Sequence, residues 1–178
     1  DYNPVGSYQR SFVLPEAWKD MNITLHFGGV SSAFKVWING KFLGYSEDSF
    51  LSSEFNASAY VKEGENIISV QVYRWSDGSY LEDQDHWNLS GIQRDVMLMA
   101  EPRLRIGDFH YQASLDEDYR DAVLSIRPHI DNLMGTRVKG YRLSAQLYDR
   151  NDQPLFDLPL QKSVESMLNE IYPRLDNV

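Results

Sequence analysis

The chain has 178 residues, 42% of them hydrophobic and 24% charged, enough apolar content for one ordinary domain or two small ones with a buried core. A formal net charge of -9, with no basic stripe, argues against a nucleic-acid partner, whose phosphates require clustered Lys and Arg. No apolar run approaches the ~20 residues of a membrane helix, and the absence of cysteine excludes disulfides, thiolate metal sites and a Cys nucleophile without deciding the compartment.

The chain starts at Asp1 rather than Met, as processing or truncation would leave it, and Asp1-Tyr2-Asn3-Pro4 lacks the order of a signal peptide. Short runs of alternating apolar and polar residues predict strands over Ser7 to Leu14 and Asn22 to Phe27, with Pro15 as a break between them. Phe34 to Ile38 and Lys41 to Tyr45 flank Asn39-Gly40, a pair suited to the positive φ angles of a two-residue type I′ turn, so a hairpin is expected. A helical turn fits Ala57 to Val61. Strands follow at Asn66 to Trp75 and Gln93 to Ala100.

Glu101-Pro102-Arg103 interrupts two strand-like runs and marks an expected domain boundary, giving units 1–102 and 103–178. Beyond it, Leu104 to Leu115, Ala122 to Asp131 and Tyr141 to Asp149 read as strands separated by acidic turn clusters, a spacing that suits an immunoglobulin-like sandwich. About 75 residues are too few for a complete sandwich of ~100, so the second unit is expected to be partial. Val164, Met167, Leu168 and Ile171 have helical spacing, which makes a short helix the alternative for the tail. The fold class is therefore all-β, a jelly-roll sandwich followed by a partial immunoglobulin-like β-sandwich.

One stretch, Arg74 to Trp87, concentrates acids and aromatics. If extended, it puts Asp83 and Asp85 on one side, because side chains alternate along a strand. Such an oxygen-rich locus suits sugar hydroxyls or a hard cation such as sodium, calcium or magnesium, with Trp75, Tyr80 and Trp87 as apolar walls. The plainer reading is an acidic, solvated loop beside core tryptophans. Arg94-Asp95 reads as a structural pairing that aims the loop after Asp85, and His86 as a solvated side chain. Four scattered histidines lack the spacing of a helical zinc site.

Asn3 to Tyr8, Gly29 to Phe34, Trp37 to Gly40, Gly44 to Ser49, Ser53 to Phe55, Arg74 to Trp87 and Ser90 to Val96 together resemble the sugar-binding domain of glycoside hydrolase family 2. They run in the order found in large bacterial β-galactosidases, nearly continuously from Asn3 to about His110. The resemblance implies a jelly roll, then an immunoglobulin-like domain, then a TIM barrel carrying both catalytic glutamates, which this chain does not contain.

By the same resemblance, Asp85 contacts the galactosyl hydroxyls and a sodium ion, a magnesium ion belongs to the barrel, and the enzyme assembles as a possible homo-oligomer. A substrate-touching asparagine of the family, and the first jelly-roll strands, are expected upstream of Asn3. The chain alone is expected to be inactive. The alternatives are a stand-alone carbohydrate-binding module, or the same portion of a β-glucuronidase or β-mannosidase.

Overall fold

A computed structural model describes residues 2–82, 85 and 87–171, with side chains to residue 168. The chain divides into two compact units, 1–102 and 103–178. The first unit contains β1 (Val5–Leu14), β2 (Asn22–Phe27), β3 (Val30–Ser31), β4 (Ala33–Ile38), β5 (Lys41–Glu47), β6 (Ser53–Asn56), β7 (Gly64–Tyr73), β8 (Gly91–Ile92) and β9 (Val96–Glu101). They form a four-stranded sheet in the order β1-β7-β4-β5, a three-stranded sheet β6-β2-β9 and the short pair β3-β8. All the pairings are antiparallel.

Period-two patterning explains why these strands stack into a sandwich. In β4, Phe34, Val36 and Ile38 are buried while Lys35 and Trp37 are half-exposed, and in β7 Val70 and Val72 share the inward face. From the other sheet, Ile23, Leu25 and Phe27 of β2 meet them in one apolar cluster. Three rings join the layers: Phe27 lies 4.7 Å from Phe34, and Phe55 of β6 stands edge-on to both at 6.1 and 5.8 Å. Truncating a buried ring such as Phe34 would cost about 3–5 kcal/mol.

The expected hairpin is present. Asn39 and Gly40 have φ of 52° and 77°, the two positive values a type I′ turn requires. Between Val36 and Trp37 the register shifts, a bulge that leaves Leu43 without an opposite residue. Asn39 does more than turn the chain. Its side-chain amide donates to Tyr60 O at 3.0 Å and Asn66 Oδ1 at 2.9 Å, and its Oδ1 accepts from Ile67 N at 3.0 Å. The turn at Ala57 to Val61 also forms, with Tyr60 N and Val61 N both donating to Ala57 O.

Several strand limits differ from the sequence reading. β9 begins at Val96, because Gln93 N is already committed to Gly29 O and Arg94 sends its guanidinium to main-chain carbonyls. β6 has no counterpart in the sequence reading.

In the second unit, β10 (Leu104–Leu115) and β11 (Ala122–Asn132) make a long ribbon, and β12 (Arg142–Ala145) pairs with β13 (Leu160–Ser163). Of the run from Tyr141 to Asp149 only four residues are strand, since Tyr148 bridges Pro154 and Asp149 caps a turn. The helix α1 (Val164–Ile171) realises the helical spacing of the tail, and Val164 and Met167 are buried with Ile130 and Val138.

Candidate functional site

The stretch from Arg74 onward leaves β7 under close control. Arg74 N donates to Pro4 O at 3.1 Å, and Asn3 brackets the next residue, accepting from Trp75 N at 3.0 Å and donating to Trp75 O at 2.8 Å. The Arg74 guanidinium stacks over the Trp75 ring at 5.2 Å.

The chain then coils rather than extends. Gly78–Tyr80 is a 3-10 turn, with Leu81 N and Glu82 N both donating to Gly78 O, and Ser76 N is held by Ser79 Oγ at 3.0 Å. Asp85 has φ of 55°, left-handed backbone, so it is not extended either. The alternation that would put Asp83 and Asp85 on one side therefore does not hold at Asp85. Asp83, Gln84 and His86 lie outside the described residues, and with them the readings made for those three side chains.

Glu82 accepts two hydrogen bonds from the buried Ser49, from its N at 3.1 Å and its Oγ at 2.6 Å. The Ser49 and Ser31 hydroxyls lie 3.1 Å apart. Ser31 in turn pairs with Gly91 across β3-β8. Gly91 has φ of 124°, a conformation closed to other residues, and a Cβ there would stand 3.3 Å from the Tyr8 hydroxyl. Thus the segment between Glu82 and Gly91 returns at both ends to Ser31.

Asp85 is exposed, and among the described residues none is hydrogen-bonded to its carboxylate. An open cleft of about 30 Å³ lies beside the segment, with Ser31, Ser49, Arg74, Trp75, Glu82 and Trp87 among its walls. Of the expected apolar walls, Trp75 and Trp87 do border it, but Tyr80 and Trp87 are 85% and 84% exposed. They are surface rings, not core packing.

Arg94 is held by main chain and not by the expected pairing with Asp95, to which no ion pair or hydrogen bond joins it among the described residues. Its Nη1 donates to Gly28 O at 3.1 Å and Phe50 O at 2.9 Å, binding two loops together. Asp48, at φ 85°, caps the turn after β5 by accepting from Phe50 N and Leu51 N, each at 3.0 Å. Glu54 contacts His26 Nδ1 at 3.0 Å. The Tyr45 hydroxyl donates to Glu47, and partial burial together with that carboxylate pushes the phenol above its usual pKa.

Sequence reasoning missed Asn3, Ser31, Ser49 and Glu82 as organisers of this region. Ser49 and Glu82 are 33 positions apart, so no local pattern joins them.

Residues 1–102 match the family described as "Glycosyl hydrolases family 2, sugar binding domain". The chain is 49% identical to a β-galactosidase of Priestia megaterium over 92% of its own length and 16% of the relative's. It is 41% identical to a β-galactosidase of Psychromonas ingrahamii over 98% of this chain and again 16% of the relative. The chain thus spans about one sixth of the length of these curated relatives. Among solved structures, a Bacteroides uniformis β-glucuronidase superposes with a TM-score of 0.75 at 25% identity, covering 92% of this chain and 20% of that one. The matched family model covers more than half of the chain, and on that ground this protein belongs to glycosyl hydrolases family 2, with the family's sugar binding domain in residues 1–102.

Proposed function

We propose that this chain is the non-catalytic, amino-terminal portion of a retaining β-galactosidase, and that Asp85 positions substrate in an active site built mainly by a TIM barrel elsewhere in the protein. Retaining hydrolysis needs an acid/base carboxyl and a nucleophilic carboxylate roughly 5 Å apart. In this reading both glutamates belong to the barrel, and the chain alone turns over nothing.

The observation that carries the reading is the presentation of Asp85. Its carboxylate is exposed on a left-handed residue, within a segment whose two ends return to Ser31. A carboxylate offered in that way can hold a neutral sugar hydroxyl without taking part in bond-making. The names of the similar β-galactosidases favour a terminal β-galactoside as the substrate.

Sodium fits Asp85 as one ligand of a shared site. Among the described residues no three His, Cys, Asp or Glu side chains converge as a metal cage, so the remaining oxygen ligands of a hard cation would come from the barrel. Bound there, the ion would supply positive charge for orienting a hydroxyl oxygen. Magnesium belongs to the barrel in this reading, and a homo-oligomer is the expected assembly.

In the full-length enzyme, Asp85→Ala is expected to weaken galactoside turnover and to blunt its sodium dependence; unchanged kinetics in both respects would sink the assignment. A chromogenic galactoside should give no colour with residues 1–178 alone.

The exposed rings of Tyr80 and Trp87 favour a second reading, a module that binds carbohydrate by itself. Calorimetry separates the two. Millimolar or tighter binding of galactose or lactose by this chain, lost in Trp87→Ala, would support the module.

A further inference from the structure

We infer that Glu82 is a positioning residue, which with Ser49 and Ser31 forms a clasp that fixes the base of the Asp85-bearing segment and thereby sets where the Asp85 carboxylate stands. The inference rests on the reading of Asp85 given above. Glu82 itself touches no substrate in it.

The geometry is unusual for a surface glutamate. Both carboxylate oxygens are used, one by Ser49 N at 3.1 Å and one by Ser49 Oγ at 2.6 Å, the second being the shorter. Ser49 is buried, 7% exposed, so its hydroxyl is a fixed post rather than a solvated rotor. The post is itself tied to Ser31 at 3.1 Å, and Ser31 pairs with Gly91. One residue therefore holds both ends of the segment, through side chains at Glu82 and through main chain at Gly91.

Distance along the chain makes this consequential for Asp85. Three residues reach at most about 10–11 Å, so a fixed Glu82 keeps the Asp85 backbone within that distance of the clasp. Without the clasp, the preceding anchor is the 3-10 turn at Gly78–Tyr80, where Ser79 Oγ is taken by Ser76 N and, among the described residues, no side-chain bond runs to β3 or to Ser49. The exposed Asp85 carboxylate would then have to be ordered by the substrate itself, and that ordering cost appears as weaker binding of sugar and cation.

The clasp works by hydrogen bonds, not by charge, and this gives the test. A glutamine at position 82 can accept from Ser49 N through Oε1 and donate through Nε2 to Ser49 Oγ, whose proton then turns to Ser31. In the full-length enzyme, Glu82→Ala is expected to raise KM for a chromogenic galactoside, and the sodium concentration for half-maximal activity, each about tenfold, with kcat within about threefold. Glu82→Gln should restore both to within about threefold of wild type. Ser49→Ala, which keeps the Ser49 N bond and loses only the Oγ one, should shift both in the same direction by less, and the double variant should be no worse than Glu82→Ala.

Three results would overturn the inference: Glu82→Ala leaving KM and sodium response unchanged while Asp85→Ala raises both; Glu82→Gln as impaired as Glu82→Ala, which would mean that charge matters; or fast hydrogen exchange at the Ser49 amide of the wild-type enzyme. The last reading needs no variant to fold. If Asp85→Ala is silent as well, the role given to Asp85 fails first, and the clasp is left with nothing to position.

Discussion

Asn39 and Asn66 are bonded side chain to side chain, Nδ2 to Oδ1 at 2.9 Å, which ties the tip of the β4-β5 hairpin to the start of β7. Asn66 is completely buried. It also accepts from Lys62 N at 2.9 Å and donates to Lys62 O at 2.8 Å and Gly64 O at 2.9 Å. Asn66→Ala strands several main-chain groups in the interior, at about 1–3 kcal/mol for each one left without a partner. The expected loss of stability is about 3 kcal/mol, read from the urea midpoint of the first unit. A loss below about 1 kcal/mol would mean that water replaces the amide, contrary to the packing.

Asn3 brackets Trp75 with a donor and an acceptor, so Asn3→Ala removes two hydrogen bonds across the first sheet edge. Both are solvent-accessible, and the expected cost is small, about 1 kcal/mol. The sharper readout is local. Exchange of the Trp75 amide should accelerate while that of the β4 amides stays slow; equal protection at Trp75 in the variant and the parent would refute the role of Asn3.

Gly44 and Gly40 separate crowding from backbone strain. A Cβ on Gly44 would stand 2.5 Å from a Phe55 ring carbon, and that ring cannot retreat because Phe27 and Phe34 are packed against it. At Gly40 nothing lies within 4 Å, and only the φ of 77° opposes a side chain. Gly44→Ala should therefore cost about 2–3 kcal/mol and Gly40→Ala about 1 kcal/mol. Parallel denaturation curves test the ranking, which the reverse order would contradict.

Asp149 makes the turn of the second unit pH-sensitive. Its carboxylate accepts first from Gln153 N and then from Asn151 N, each at 2.8 Å, and these bonds lower its pKa below 3.8. Because the folded value is the lower one, the carboxylate stabilises the turn above the unfolded value, and this is lost as pH falls through the folded value. The Asp149 carboxyl resonance should titrate below 3.8, with the Gln153 amide following it. A midpoint at or above that value would remove the argument.

What was legible in the sequence was whatever is local. Asn39-Gly40 specified its turn, period-two runs specified β1, β2, β4 and β7, and the spacing of Val164, Met167 and Leu168 specified α1. Strands β6 and β13 are four residues each, too short for a period to register. The sequence left the run after Arg74 open between an extended strand and an acidic loop, and the Gly78–Tyr80 turn coils it through bonds that no alternation rule contains. Within the candidate site, Asp85 enters as a proposal through the resemblance alone. Ser49, Ser31 and Asn3 were not legible, because each acts on a partner brought close only by the finished sandwich.

The strand order β1-β7-β4-β5 also imposes a timetable. The β4-β5 hairpin closes over two residues and can form within microseconds, whereas Val5 of β1 must wait for Tyr73 of β7. During synthesis, which proceeds from the amino end at about 5–20 residues per second, β1 emerges well before its partner and presents an unpaired edge to whatever is nearby. Slow decoding between the two strands would lengthen that interval. Its effect would register in the yield of soluble protein, while the melting temperature of the molecules that do fold would stay the same.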